Sequence, residues 1–207
     1  VYDKRTYAFE ESRTTSADGA TVWNLGFRKT SRSPFLALRG LFGGTRSTIE
    51  ISVPDGVPYS IEGVVQGGSL QAEIGGTLCR EVDVDLQRGA VVMSVRRPLA
   101  EPMRRFAIAS NQGANVVSSL GNASPREVSV DCSMGACVLD LTGEWRNDSD
   151  IALGVSLGAG VLTVDEDVDS SGLEDVKGFR PALAGSEDSE IPRPKLRFRI
   201  DGKWEMQ

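Results

Sequence analysis

Histidine is absent from the 207-residue chain, and this absence excludes more chemistry than any other count. It removes the Ser-His-Asp triad, the Cys-His dyad and any His-ligated zinc, so catalysis would have to rest on carboxylate pairs, Lys, Tyr, Cys or an oxygen-held metal. Cysteine is almost as scarce. Cys79, Cys132 and Cys137 are odd in number, which fits no disulfide framework, and their spacing is not that of a zinc site. Aromatic residues make up only 6% against 23 glycines, a balance that points to turns and thin layers rather than to a helical bundle. Long apolar runs are missing too. The most apolar window, 152–162, is far short of a membrane span. No signal peptide is visible, and the start at Val1 rather than Met reads as a cut or processed end.

The formal net charge of −6 argues against nucleic acid as a partner. The charge is uneven: no acid lies between Asp18 and Glu50, where Arg28, Lys29, Arg32, Arg39 and Arg46 are found. The length suits one structural domain, large enough to bury roughly 70% of its unfolded surface without disulfides.

What the sequence does contain is a repeat. An alternating apolar strand, a turn of Gly plus a small residue and a second alternating strand recur between residues 57 and 164. Aligned on Gly68, Gly89, Gly113, Gly135 and Gly158, the units are spaced 21, 24, 22 and 23 residues apart. A period of this length is the mark of a solenoid. Alternation then assigns the inward residues. Before the turn they are Ile61/Gly63/Val65, Val82/Val84/Leu86, Phe106/Ile108/Ser110, Val128/Val130/Cys132 and Ile151/Leu153/Val155. After it they are Leu70/Ala72/Ile74, Val91/Met93/Val95, Asn115/Val117/Ser119, Cys137/Leu139/Leu141 and Gly160/Leu162/Val164. The expected architecture is all-β: a single-stranded β-helix or solenoid-like stack of about five to seven coils with an N-terminal cap.

Residues 1–56 read as lead-in strands at 6–9, 21–27 and 47–53, with Asp18-Gly19 as a turn. Segment 30–46, basic, apolar and Gly-rich, reads either as a cap over the open end of the solenoid or as a surface that touches lipid headgroups or a partner. Its Phe35, Leu38, Arg39, Leu41 and Phe42 are candidate contacts. The connections after each second strand (96–102, 121–125 and 143–148) are where a solenoid commonly binds. Trp145, Arg96/Arg97 and Arg104/Arg105 stand there, either as contacts or as ordinary solvated rim. The chain closes with Leu196, Phe198 and Ile200 alternating with Lys195, Arg197 and Arg199.

Few constellations carry chemistry. Asp165, Asp167 and Asp169 share one face of an extended strand. They are expected to be solvated or paired with the stripe Lys195, Arg197 and Arg199, with calcium as the alternative. Cys132 and Cys137 flank one turn and face inward, either as buried small hydrophobes or as a disulfide across the corner. Ser110, Asn115 and Ser119 make the third coil polar inside, and an inward Asn is expected to bond the backbone at the corner. The glycosylation pattern matches at Asn147 and Asn122, both short enough to arise by chance, and no phosphate-binding Gly loop is present.

The stacked units resemble bacterial envelope proteins of the toastrack and cell-wall-active antibiotic-response group. The resemblance covers residues 57–207 and is clearest at Asp140-Leu-Thr-Gly143-Glu-Trp145, the run 157–164, the run 167–172, Gly178 and the closing strand. One departure is Asp165, where such domains often place Pro. The resemblance implies an extracytoplasmic β-solenoid without catalysis or cofactor, associated with envelope-stress signalling or surface assemblies, and it brings no active-site residues.

The leading expectation is therefore a non-enzymatic envelope module that contacts envelope or surface proteins, with membrane-surface contact a further expectation. Two rivals stand beside it. One is a carboxylate-dependent polysaccharide-acting β-helix. The other is a glycan-binding adhesin, which would need Trp23, Trp145 and Trp204 to line a groove. The oligomeric state is not legible in the sequence.

Overall fold

The computed structural model describes residues 7–15, 21–29, 50–165, 168–169, 173 and 194–207. It comprises two compact units, Val1–Val53 and Pro54–Gln207, each taken by itself.

In the first unit β1 (Tyr7–Thr15) and β2 (Thr21–Lys29) pair antiparallel, from Tyr7 opposite Lys29 to Thr15 opposite Thr21. Most side chains of this hairpin are exposed, so cross-strand pairs do the stabilising. The Tyr7 and Phe27 rings stack at 4.9 Å. The Arg13 guanidinium lies 4.8 Å from the Trp23 ring centre, and the Trp23 indole N–H donates to Glu11 at 3.0 Å. The strand expected at 47–53 is corrected over its described part. Residues 50–53 are not in a strand, and Ile51 and Val53 are exposed. Pro54, which lacks a donor, and Gly56, at φ 74°, turn the chain there.

The second unit is a parallel β-solenoid. Coil one is β3 (Pro58–Val65) and β4 (Ser69–Glu73); coil two is β5 (Leu78–Leu86) and β6 (Gly89–Ser94). In coils three to five the strand continues through the corner, where the ladder skips only Asn111/Ser133 and Ser133/Ser156, so β7 (Arg105–Ser118), β8 (Glu127–Asp140) and β9 (Ser149–Thr163) are each one bent strand. β10 (Leu196–Met206) lies parallel on β9 as a sixth layer. Residues before the corner form a first wall, those after it a second.

The predicted columns are the observed ones except at Ser119, which is only half-buried in a left-handed turn (φ 56°) while Leu120 takes the place in the core. Val82, Phe106, Val128 and Ile151 are register partners along the first wall, and Met93, Val117, Leu139 and Leu162 along the second. All eight are buried; each large apolar side chain so buried contributes roughly 1.5–3 kcal/mol.

The corner explains the period. Gly89, Gly113, Gly135 and Gly158 are stacked register partners. Gly135 has φ 137°, and a Cβ on it would lie 1.8 Å from the Gly113 carbonyl oxygen. Successive coils touch backbone to backbone there, which no other residue type permits. Gly160 has a different reason: a Cβ there would meet the Trp204 ring at 2.3 Å, because the indole of β10 fills the space that Gly160 leaves.

The connections after the second strands are not loose loops. They form a third wall with its own coil-to-coil bonds, among them Leu99 N–H to Asn122 O at 2.9 Å, Gly121 N–H to Thr142 O at 3.1 Å and Leu141 N–H to Thr163 O at 2.8 Å. This wall contributes Leu99, Met103, Leu120, Ala123, Leu141 and Trp145 to the core. A 3-10 turn over Leu120–Ala123 gives it shape.

Candidate functional site

The interior comes first, since it holds the three cysteines. Burial pushes the Cys79 thiol up to about 11 and the Cys137 thiol up to about 12, with Cys132 adding to the second. Burial raises Cys132 too, against a smaller opposite pull from the Ser110 hydroxyl. With no ion bound, these thiols are protonated at neutral pH. All three cysteines are free. Tyr59 is raised chiefly by burial, and its hydroxyl pairs with Thr77 Oγ1 at 3.0 Å. Asn115 departs from expectation. Neither its Oδ1 nor its Nδ2 has a partner although the residue is 0% exposed, so it does not bond the corner backbone as expected.

The third wall absorbs the residues expected to reach a partner. Trp145 is buried, its indole N–H donating to Leu141 O at 2.8 Å. A Cβ on Gly121 would lie 2.7 Å from that nitrogen, so the ring rests directly on the glycine beside it. Trp204 is buried as well, so neither lines an open groove; Trp23 is the exposed one. The paired arginines turn to the coil before them. Arg96 meets Glu73 at 3.4 Å, Arg97 donates to Gly75 O at 3.4 Å, Arg104 pairs with Glu81, and Arg105 meets Asp83 at 3.3 Å. Asn122 and Asn147, where the glycosylation pattern matched, hold backbone and Ser124 instead. Phe35, Leu38, Arg39, Leu41 and Phe42 lie outside the described residues.

The acidic run is divided. Asp165 accepts the Gly143 N–H at 2.9 Å, Asp169 forms a backbone bridge with Lys195, and Asp167 lies outside the described residues. The basic stripe finds other acids than expected. Because β10 lies on β9 with Arg197 opposite Asp150, Arg197 reaches Asp150 at 2.6 Å and Asp148 at 3.9 Å. The Arg197 hydrogen bond and charge hold the Asp150 carboxyl below its ordinary range. Among the described residues no group of three or more Cys, Asp or Glu is placed to hold a metal.

What remains for recognition is the outside of the two walls. The first wall carries ion pairs and a shallow cleft of about 700 Å³, lined by Arg105, Glu127, Ser129, Asp150, Ala152 and Arg199 among others. The second carries two apolar columns beside the polar one of Ser94, Ser118, Asp140 and Thr163. Val92, Val116, Val138 and Val161 form one outward column and Ala90, Ala114, Ala136 and Ala159 the next. Met134 and Leu157 project beside them at the corner, Leu157 with 70% of its surface exposed. Gln71 and Glu205 lie at the two ends of the Val column, and Ser69 at one end of the Ala column. The signal for this face was in the same alternation that located the core: in coils two to five the two outward positions after the corner glycine are Ala and then Val, and the next outward position is Ser94, Ser118, Asp140 or Thr163.

The fold defines the class, a parallel β-solenoid with a bent, glycine-cornered coil. No protein-family model, curated protein or solved structure matches the chain.

Proposed function

We propose that the protein is a non-enzymatic interaction module of the cell envelope, which presents the outer face of its second wall to a partner protein. The observation that carries this reading is the apolar outward column Val92–Val116–Val138–Val161 with Leu157 beside it. A contiguous apolar face with polar residues at its ends is characteristic of a protein contact rather than of a solvated surface. The envelope location is taken from the toastrack resemblance. The interior supports the non-enzymatic part: its thiols are buried and protonated, and the arginines of the third wall are engaged with neighbouring coils.

The test is site-specific photo-crosslinking of the full-length protein in intact cells, with the probe at Val138 or Leu157 and, for comparison, at Glu127 on the first wall. The expected result is an adduct with an envelope protein from the first two positions and none from the third. Equal adducts from both walls, no adducts at all, or recovery of the protein in the cytosol would reject the reading. Turnover of a polysaccharide by the purified chain would replace it with the enzymatic one.

A further inference from the structure

Inside each corner, two residues face each other across the turn. From coil one to coil five they are Val65/Leu70, Leu86/Val91, Ser110/Asn115, Cys132/Cys137 and Val155/Gly160. The first two pairs are apolar, and Trp204 completes the last. Only coils three and four break the apolar column, and they do so together: Ser110 is the register partner of Cys132, and Asn115 of Cys137. All four side chains are at most 3% exposed. The Ser110 hydroxyl is near enough to the Cys132 thiol, and that thiol to Cys137, for each to act on the next. Yet Ser110 Oγ, Asn115 Oδ1 and Asn115 Nδ2 have no hydrogen-bond partner. Each such orphan is a polar atom taken from water without compensation, a cost that valine or leucine at either position would remove.

We propose that Ser110, Asn115, Cys132 and Cys137 form a buried site for one thiophilic divalent cation, zinc being the physiological candidate. The two sulfurs of coil four bind the ion with oxygen from coil three. Charge balance selects this ligand class. No charged side chain belongs to the corner column, so an isolated ion of either sign would stand uncompensated in an apolar core. A divalent cation that displaces one proton from each thiol leaves a neutral dithiolate; two S–H bonds break, two metal–sulfur bonds form and two protons leave. Asn115 Oδ1 and Ser110 Oγ supply neutral oxygen donors, and Asn115 Nδ2 donates to a thiolate sulfur, so the three orphans acquire partners together. Soft sulfur donors favour zinc and its heavier relatives over calcium or magnesium.

The experiment refolds the full chain under reducing conditions with one equivalent of cadmium or of zinc. The ultraviolet thiolate-to-cadmium band is read by absorbance, bound ions are counted by native mass spectrometry, and the thermal midpoint is followed. Expected are one ion per chain and a higher midpoint. The band should survive Cys79→Ser and disappear in Cys132→Ser and Cys137→Ser. Asn115→Leu should stabilise the metal-free chain and shrink the metal-linked rise in midpoint. If either Cys variant fails to fold, ion counting on the unsubstituted chain decides alone. A chain that folds with no band and no bound ion overturns the proposal and leaves an internal water as the partner of Asn115. A mass two hydrogens lighter under non-reducing conditions, with no ion bound, overturns it in favour of a Cys132–Cys137 disulfide.

Discussion

The corner and the third wall both turn the chain from one strand to the next, but they hold the coils together by different means. At the corner the contact is backbone on backbone: Gly113, Gly135 and Gly158 each sit so close to the glycine of the previous coil that a Cβ would lie within 2.2 Å of its carbonyl oxygen. In the third wall the coils are latched by polar side chains. Asn122 donates from Nδ2 to Val95 O of the coil before at 2.8 Å and accepts the Glu144 N–H of the coil after at 3.0 Å. Ser124 donates to Asn147 at 3.0 Å and accepts the Arg146 N–H at 2.7 Å, while the Arg146 guanidinium spans two coils to Leu99 O. A contact made of backbone admits one residue type. A contact made of side chains admits many, each adding a modest amount.

That difference is sharpest under substitution. Gly135→Ala places a methyl group 1.8 Å from a carbonyl oxygen at φ 137°, and neither coil can retreat without breaking the ladder on both sides. The expected loss exceeds about 4 kcal/mol, seen as loss of the cooperative urea transition. Ala136→Ser, one residue on and facing outward, should stay within about 0.5 kcal/mol of the unsubstituted chain. If Gly135→Ala unfolds with an unchanged midpoint, the corner is not what sets the stack. Second in size is Trp145→Ala in the third wall. It removes a buried indole and its hydrogen bond to Leu141 O for an expected 3–5 kcal/mol, read as a lower urea midpoint with cooperativity kept. The third wall relaxes where the corner cannot.

The same contrast explains what could be read in advance. The glycine spacing and the alternation around it located the corner, the inward columns and therefore the register from Ile61 to Val164, because a backbone contact leaves one residue type at one place. β10 was legible as a half-buried strand, but its neighbour was not. Its basic stripe was matched to Asp165 and Asp169, whereas pairing with β9 sets Arg197 against Asp150. Trp145 was misplaced because the third wall has no fixed period; a tryptophan between Glu144 and Arg146 looks solvated until Gly121 is seen beneath it. Asn115 is legible as an inward residue but not in its bonding, because alternation fixes the direction of a side chain and not the direction of the backbone groups around it.

Asn122→Ala tests the latching directly. It removes a bond to each neighbouring coil while the glycines stay in place, so a loss of about 1–3 kcal/mol is expected. Hydrogen exchange should localise the weakening to the amides of Glu144 and its neighbours and leave those beside Gly135 as protected as before. A loss of protection at both would mean that corner and third wall open as one unit.

The smallest effect is the most specific, because one latch is ionisable. Glu73 Oε1 accepts the N–H of Gly75 at 3.0 Å and that of Arg96, on the next coil, at 3.2 Å. Burial alone would raise this carboxyl, but those two bonds, with the Ser94 hydroxyl and the Arg96 charge, outweigh it and hold the pKa below its ordinary 4.5. A carboxyl lowered on folding binds its proton more weakly in the native chain than in the unfolded one. Its contribution is therefore present above about pH 4.5 and is lost as the pH falls through the lower native value. Glu73→Gln keeps an acceptor and loses the charge. Its urea midpoint should lie slightly below that of the unsubstituted chain at pH 7, and the gap should close on titration to pH 3. The titratable groups of the Gly135 corner, the Cys132 and Cys137 thiols, are raised by burial and stay protonated between pH 3 and 7, so the stability lost on Gly135→Ala should not depend on pH over that range. A gap at Glu73 that persisted unchanged into acid would show that its carboxylate charge adds nothing to the latch and that the third wall is as indifferent to pH as the corner.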